Sequence, residues 1–256
     1  MDRDAAAEAI ISAWDEGRHM PAEWMGRLTF DQGYAVQLCL LRHLLARGER
    51  LAGWKVGLTA AAIRAQFKAS EPVFGFLLES GERPSGHAFR MNDLKAPGFE
   101  NELCLFVAKR LQGPGIDLLQ VRDAVTHAAP ALEIVENRGP AVSDLPLAAA
   151  DNAQQKAFVV GKKIGLDAGN GDLASTRVSV HINGKLSEEA AGSEVMGEGP
   201  LHSVLWLANK LAQFDLAIEP GSCIMAGSFT KQYRPAAGDT IEARFVPFGT
   251  VSARFD

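Results

Sequence analysis

The sequence predicts an α+β fold, with helices near the start and a rolled or sandwich-like sheet as the core. Apolar residues recur at helical spacing over residues 29–48. Beyond about residue 160 the pattern alternates as strands do, and Asn183-Gly184 is typical of a two-residue hairpin turn. A Gly/Pro/Ser-rich loop over residues 80–86 separates an N-terminal α/β segment, residues 1–80, from the main β-rich body, residues 81–256.

Local sequence signals support several of the predicted elements. Thr29 and Gln32 have the spacing of a capping box, so a helix is expected to begin there and to stop near Gly48. Pro200 suits the first turn of a later helix. Thr59 is expected to cap a short helix over residues 60–67. The other expected elements are strands over 51–57, 99–107, 131–135, 158–161, 176–182 and 223–226, a helix over 117–127, and a closing hairpin over 240–246 and 250–255.

Composition and charge narrow the class of protein. The chain has 256 residues, of which 47% are apolar and 22% charged, values typical of a soluble globular protein. A net charge of -5 gives no reason to expect a nucleic acid or an anionic membrane as a partner. No apolar run reaches the ~18 residues of a membrane-spanning helix, and the acidic N-terminus lacks an apolar signal core, so we expect a cytoplasmic protein. The histidines lack zinc-ligand spacing, which argues against a zinc hydrolase, and the three cysteines fit reduced core positions.

The candidate functional stretch is the strand over residues 99–107. Its side chains alternate, which puts Glu100 and Glu102 on one otherwise apolar face. Because both faces are mostly apolar, the strand is expected to be internal, where two carboxylates are costly unless something neutralises them. Glu133 lies in similar apolar surroundings. The hypothesis is a three-carboxylate site for a hard divalent cation, and the alternative is a solvated face that carries a Glu-x-Glu pair.

Lys55 is the unusual residue of the strand over 51–57. It lies between Trp54 and Val56 and close to two glycines, where backbone or a ligand can approach. A functional lysine and an edge-strand lysine that reaches solvent both remain open from these residues alone.

Several further motifs accompany these residues, and together they resemble one family. They are, in chain order, Gly53–Thr59, Phe74-Gly75, Glu100-Asn101-Glu102, Ala131–Val135, Asp151-Asn152-Ala153, Trp206–Leu211, Gly227–Thr230 and Gly238-Asp239. Each is weak alone, but in this order they resemble the hydratase/decarboxylase branch of the fumarylacetoacetate hydrolase superfamily. The resemblance covers the chain from about the second helix to the C-terminus. Within the branch, Trp206–Leu211 and Gly227–Thr230 are most similar to the 2-oxohept-4-ene-1,7-dioate hydratases, and the 2-keto-4-pentenoate hydratases and 4-oxalocrotonate decarboxylases are also similar.

The resemblance implies a core of rolled, mostly antiparallel mixed sheet, a homo-oligomer, and a Mg²⁺ or Mn²⁺ ion held by Glu100, Glu102 and Glu133. The implied activity is addition of water to a 2-hydroxy-2,4-dienoate, or its 2-oxo-4-enoate tautomer, to give a 4-hydroxy-2-oxo acid in the meta-cleavage degradation of aromatic compounds. Three alternatives stay open: a 4-oxalocrotonate-type decarboxylase that uses the same metal site, an acylpyruvate C–C hydrolase, and a non-catalytic partner in a complex with a sister pathway enzyme.

Roles for further residues follow from the proton transfers that such a hydration needs. Lys55 is the expected proton carrier, because a partly desolvated lysine has a lowered pKa. Glu79 is a candidate general base near the attacking water. Asp151 is expected to orient Lys55 or a water at the metal, or else to be a turn residue before a strand. The expected substrate-binding residues are Leu78, Ser228 and Thr230, with the two hydroxyls bound to the substrate carboxylate.

Overall fold

The computed structural model describes residues 2–19, 22–139, 144–167 and 169–256. These ranges contain six α-helices and thirteen strands, which confirms the α+β class. The helices are α1 (Arg3–Asp15), α2 (Phe30–Ala46), α3 (Ala61–Phe67), α4 (Leu118–Ala124), α5 (Leu145–Ala150) and α6 (Pro200–Leu211). The strands are β1 (Leu51–Gly57), β2 (Val73–Leu78), β3 (Glu82–Pro84), β4 (His87–Phe89), β5 (Pro97–Val107), β6 (Val125–Glu136), β7 (Gln155–Val160), β8 (Ile164–Gly165), β9 (Arg177–Ile182), β10 (Lys185–Ala191), β11 (Cys223–Met225), β12 (Asp239–Val246) and β13 (Gly249–Phe255).

The strands form two mixed sheets. The larger is a curled eight-stranded sheet in the order β2-β1-β11-β5-β6-β7-β3, with β8 paired to β6. Only its β1–β11 and β3–β7 pairs are parallel, so the expected mostly antiparallel mixed sheet is confirmed. The smaller has the order β10-β9-β12-β13-β4. Strands β1 and β2 share a sheet with strands from beyond residue 80, and a domain boundary at that residue stays a prediction.

Local sequence signals explain several of these elements. Thr29 accepts from the backbone N–H of Gln32 while the Gln32 side chain accepts from the Thr29 N–H, so the predicted capping box opens α2. Asn183 and Gly184 both adopt positive φ, 53° and 75°, in the turn that joins β9 to β10. Pro200 is the first residue of α6. None of the described helices is long and apolar enough to cross a bilayer.

Two local expectations are wrong. The helix expected to reach residue 127 ends at Ala124, because Val125 and His127 pair with β5 and begin β6. Strand pairing therefore overrides the helical pattern at this β-branched segment. Thr59 does not cap α3; the cap position is Ala60, without a side-chain hydrogen bond. Thr59 is instead buried beside the loop that follows β11.

The larger sheet has apolar side chains on both faces. Leu103 and Leu105 of β5 belong to the main hydrophobic core. Cys104 belongs to a smaller cluster on the opposite face, so the predicted alternation along β5 is confirmed. That smaller cluster consists of Leu77, Cys104, Ala131, Phe158, Cys223 and Met225. By the same alternation Glu100 and Glu102 lie on the face of the smaller cluster.

Candidate metal centre

Three glutamates meet where β5 and β6 run side by side. Glu100 lies directly opposite Glu133 in the antiparallel ladder, and Glu102 lies two residues further along the same face of β5. One carboxylate oxygen from each lies within 4.8 Å of the others. Glu102 and Glu133 are buried and Glu100 is half-buried. The structure thus brings together the three residues that the sequence analysis grouped.

Few positive charges and few hydrogen-bond donors lie close to the three carboxylates. Burial raises the pKa of all three, to about 7 for Glu100, where Glu133 raises it further. Glu102 Oε2 accepts one hydrogen bond, from the Gly227 N–H at 2.7 Å. Its Oε1 and the Oε2 of Glu133 have no hydrogen-bond partner within the described part of the chain. Converging, buried, unpartnered carboxylate oxygens fit a hard divalent cation.

Gly227 is required at its position beside Glu102. Its φ is 108°, in the region that favours glycine. A Cβ there would lie 2.5 Å from Cγ2 of the buried Thr59. The glycine therefore lets the backbone N–H approach the carboxylate of Glu102 closely.

Lys55 is the nearest cation to the glutamates. It lies in the middle of β1, paired with Gly75 on β2 and Met225 on β11. Its Nζ is 3.2 Å from Glu133 Oε1, and the residue is only 4% exposed. The alternative of an edge lysine that reaches solvent is therefore excluded.

The charge state of Lys55 differs from the sequence expectation. Burial by itself would lower the pKa of Lys55, but Glu133, Glu100 and Glu102 together outweigh burial, and the pKa is raised above its usual value. The expected lowered pKa is wrong because three acids surround the amine. A raised pKa favours the ammonium form of Lys55, which is a hydrogen-bond and proton donor.

Ser228 and Thr230 lie in the loop after β11, next to the glutamate strand. The Ser228 hydroxyl is 3.4 Å from the Asn101 carbonyl oxygen, and the Asn101 amide donates to Thr230 Oγ1. Thr230 itself donates to the carbonyl of Lys231 at 3.1 Å. Both hydroxyls are half-buried. These hydrogen bonds place both hydroxyls beside Asn101 of β5.

Leu78 and Glu79 are not brought into the cluster. Leu78 ends β2 and packs against the main core. Glu79 follows it, is exposed, and forms an ion pair with Arg50. His87, the histidine weighed for a hydrolase, lies on β4 of the smaller sheet with its ring against Phe89.

Asp151 takes part in a different buried network. Its carboxylate accepts from Arg138 Nε at 2.9 Å and from Trp14 Nε1 at 2.7 Å. Arg138 also donates to Glu136 at 3.1 Å. Asp151 therefore makes its hydrogen bonds away from Lys55, contrary to expectation. Sequence analysis missed Arg138 and Trp14; the one available signal was that a buried aspartate needs a cationic partner, and Arg138 lies two residues beyond the end of β6.

A second group of potential ligands consists of Asp4, Cys39 and His43, on α1 and α2. The Cys39 thiol donates to Asp4 Oδ1 at 2.9 Å, and the His43 Nε2 lies 3.2 Å from the same oxygen. These hydrogen bonds account for the proximity of the three side chains.

The sequence and the fold of the chain are similar to those of several known proteins. The family model described as fumarylacetoacetate (FAA) hydrolase C-terminal matches residues 57–256. A 2-hydroxyhexa-2,4-dienoate hydratase of Comamonas testosteroni is 34% identical, with 89% of this chain and 87% of the relative covered. A 4-oxalocrotonate decarboxylase of Pseudomonas sp. strain CF600 is 35% identical, with 89% and 86% covered. The solved 4-oxalocrotonate decarboxylase of Pseudomonas putida G7, complexed with magnesium and adipate, superposes with a TM-score of 0.93 at 33% identity over 99% of this chain and 97% of that one.

Proposed function

Because the chain belongs to the fumarylacetoacetate hydrolase family, we propose that it is a metal-dependent hydratase of the meta-cleavage degradation of aromatic compounds. The resemblance stated from the sequence motifs is confirmed at the level of the family and of its hydratase and decarboxylase relatives. The proposed reaction takes a 2-hydroxy-2,4-dienoate, or its 2-oxo-4-enoate tautomer, and by net addition of water gives a 4-hydroxy-2-oxo acid. One observation carries the proposal: a buried ammonium in contact with a cluster of three carboxylates.

The proposed metal ligands are Glu100, Glu102 and Glu133, and the proposed ion is Mg²⁺ or Mn²⁺. Support comes from the all-oxygen donor set, from the two buried oxygens without donors, and from the magnesium in a relative of the same fold. When bound, such an ion acts as a Lewis acid toward the substrate's C2 oxygen and adjacent carboxylate.

The proposed role of Lys55 is to deliver a proton to a substrate carbon. Ketonisation with a proton at C5 gives the conjugated 2-oxo-3-enoate, and after water adds at its C4 a second proton is needed at C3. Lys55 suits such a delivery because the surrounding carboxylates favour its ammonium form, and its contact with Glu133 at 3.2 Å orients Nζ within the cluster. We propose that Ser228 and Thr230, beside Asn101, bind the substrate carboxylate.

The remaining candidates have weaker support. Glu79 stays the proposed base for the attacking water, and to act it has to exchange its ion pair with Arg50 for that water. Contact of Leu78 with substrate stays a prediction. Asp151 has no proposed contact with substrate or metal, since Arg138 and Trp14 occupy its carboxylate.

Decarboxylation is the second candidate function. The same carboxylates and Lys55 would serve it, and the decarboxylase relatives are as similar in sequence as the hydratase. The two reactions differ in their products, so product analysis by NMR separates them. The panel is 2-hydroxypenta-2,4-dienoate, 2-hydroxyhepta-2,4-diene-1,7-dioate and 4-oxalocrotonate, each with Mg²⁺ and with Mn²⁺. We expect a 4-hydroxy-2-oxo acid; loss of CO₂ from 4-oxalocrotonate without hydration establishes the decarboxylase, and no turnover of any substrate refutes both.

We also propose a homo-oligomer in the cytoplasm. Among the residues that the structure describes, three large apolar side chains are more than half exposed: Leu119 at 72%, Leu186 at 55% and Val246 at 68%. All three cysteines are free and buried, as suits a reducing compartment. Sedimentation that finds only monomer at micromolar concentration contradicts the oligomer. Association with a sister pathway enzyme stays a prediction.

A further inference from the structure

The free edge of β2 is closed by side chains. β2 is the last strand of the larger sheet and pairs on one side only, with β1. On its other side the Phe76 N–H donates to Asn152 Oδ1 at 2.7 Å, and Asn152 Nδ2 donates to the Phe76 carbonyl at 3.0 Å. Gln37 Nε2 donates to the Phe74 carbonyl at 2.9 Å. The Asn152 amide thus forms both bonds that a residue of a neighbouring strand would form.

Asn152 and Lys55 pack against the same glycine. Gly75 lies between Phe74 and Phe76 and is the cross-strand partner of Lys55. A Cβ on Gly75 would lie 2.9 Å from both the backbone oxygen and the Oδ1 of Asn152, and 3.3 Å from Cγ of Lys55. The space that a side chain would fill is therefore shared by the Asn152 turn and the aliphatic stem of Lys55.

Asn152 begins a strained turn. Asn152, Ala153 and Gln154 have φ values of 51°, 47° and 65°, three consecutive non-glycine residues in the left-handed region. Such a conformation is unfavourable for a residue with a side chain and persists only where the surroundings enforce it.

Arg138 supplies that enforcement. Its guanidinium donates to the Asp151 carboxylate and, at 3.1 Å, to the Asp151 carbonyl, just before the turn. It also donates to the carbonyl of Gln155, just after the turn, at 3.3 Å. Arg138 follows β6, the strand that carries Glu133. One buried cation therefore holds both ends of the turn against the strand of a proposed metal ligand.

We propose that Asn152 is a positioning residue for Lys55: its clamped left-handed turn closes the edge of β2 and fixes Gly75, and with it the Lys55 stem, relative to Glu133. This inference rests on the proposed function for its kinetic test. In this proposal the Asp151–Arg138 ion pair stabilises the turn. The pair therefore affects Lys55 only through Asn152.

The test is a double-mutant cycle between Asn152→Gly and Lys55→Met. Glycine accepts the positive φ and removes only the amide, so the turn is retained. We expect Asn152→Gly to lower kcat roughly 10- to 100-fold with little change in KM or Mg²⁺ affinity, the scale of a misplaced catalytic group. In the Lys55→Met background the same change has no further effect on kcat, because the residue it positions is gone. A kcat within about twofold of wild type, or an equal loss in both backgrounds, overturns the proposal.

A matched control exists in the β9–β10 hairpin. Asn183 also adopts a left-handed φ, 53°, and its amide accepts from the Thr240 N–H and donates to Asp239. Asn183→Gly removes an equivalent pair of hydrogen bonds in the smaller sheet. We expect its kcat to match wild type, so a loss in both variants points to general destabilisation and overturns a specific role for Asn152.

A second variant and a direct readout keep the inference testable if Asn152→Gly does not fold. Gly75→Ala drives a methyl between Asn152 and Lys55, whereas at Gly81, three residues beyond β2, the nearest atom to an added Cβ is 3.6 Å away. We expect Gly75→Ala to lower kcat and Gly81→Ala to leave it unchanged; equal activities overturn the proposal. In crystal structures of Asn152→Gly or Gly75→Ala we expect the Lys55 Nζ to Glu133 Oε1 distance to exceed 3.2 Å. If the wild-type protein turns over no dienoate, the proposed function fails, and an unchanged distance separately overturns the positioning role.

Discussion

Lys55 Nζ lies 3.2 Å from Oε1 of Glu133, so a buried amine is in direct contact with a proposed metal ligand. Glu100 and Glu102 lie beside the same carboxylate, and one ammonium balances only one of the three acids. With all three carboxylates ionised, as ligands of a metal ion are, the other two carry a formal charge that matches one divalent cation. Buried charges persist when they are paired or coordinate a metal, so lysine and cation together would neutralise the cluster.

Glu102→Gln tests the metal site most directly. We expect that Mg²⁺ and Mn²⁺ binding, measured by calorimetry, is lost. The substitution replaces one of the three carboxylates with a neutral amide, which is a weaker ligand for a hard divalent cation. Glu136→Gln is the matched control. Glu136 is also buried and lies on β6, the strand that carries Glu133, but it forms an ion pair with Arg138. Equal Mg²⁺ affinity in Glu102→Gln and wild type contradicts the assignment, whatever the control shows.

Metal removal provides an independent prediction about stability. A ligand that binds only the folded state stabilises it by about 2.7 kcal/mol at a concentration of 100 times its Kd. We therefore expect the thermal unfolding midpoint to rise with added Mg²⁺ and to fall again with excess chelator. Glu102→Gln should show no Mg²⁺-dependent shift. A shift of the same size in that variant would mean that Mg²⁺ stabilises the protein elsewhere.

The carboxylate cluster could be predicted from sequence because strand alternation is a local property. A single residue separates Glu100 from Glu102, which puts them on one face, and the apolar surroundings of Glu133 indicate a second buried strand. The antiparallel pairing of β5 and β6 then places Glu133 opposite Glu100. Alternation and burial led to the hypothesis that groups the three acids, whereas the pairing of β5 with β6 was not predicted from the sequence.

Long-range contacts explain what sequence analysis missed. Trp14 and Asp151 are separated by 137 positions, and no spacing rule connects them. The pKa of Lys55 was expected to fall because local sequence shows burial but not three acids from other strands. The left-handed turn at Asn152 depends on the Arg138 clamp, which exists only after the sheet has formed.

Trp14→Phe tests whether α1 is anchored through Asp151. The indole donates to Oδ1 of Asp151 at 2.7 Å, and hydrogen bonds to charged groups contribute about 1.5–3 kcal/mol. We expect a stability loss of that size, measured as the shift in urea unfolding at fixed protein concentration. Trp24→Phe is the matched control, because the Trp24 indole N–H has no hydrogen-bond partner within the described ranges. Equal losses in the two variants would show that ring size, and not the bond to Asp151, sets the effect.

Lys55→Met tests whether function depends on the ammonium. Methionine keeps much of the aliphatic stem but removes the proton donor, so we expect kcat to fall roughly 10²-fold or more, the usual scale for a lost acid–base group. Mg²⁺ affinity should not weaken, because no carboxylate is changed and a competing positive charge beside Glu133 is removed. Hydration should slow more than the initial ketonisation, which solvent can also perform, and ultraviolet absorbance of dienol and enone follows the two steps separately.

Lys210→Met is the matched control for Lys55→Met. Lys210, on α6, is also buried, and its Nζ lies 2.7 Å from Glu71 Oε1. Equal slowing of both steps would assign Lys55 to substrate binding, and unchanged rates would leave the three carboxylates as the proposed catalytic apparatus.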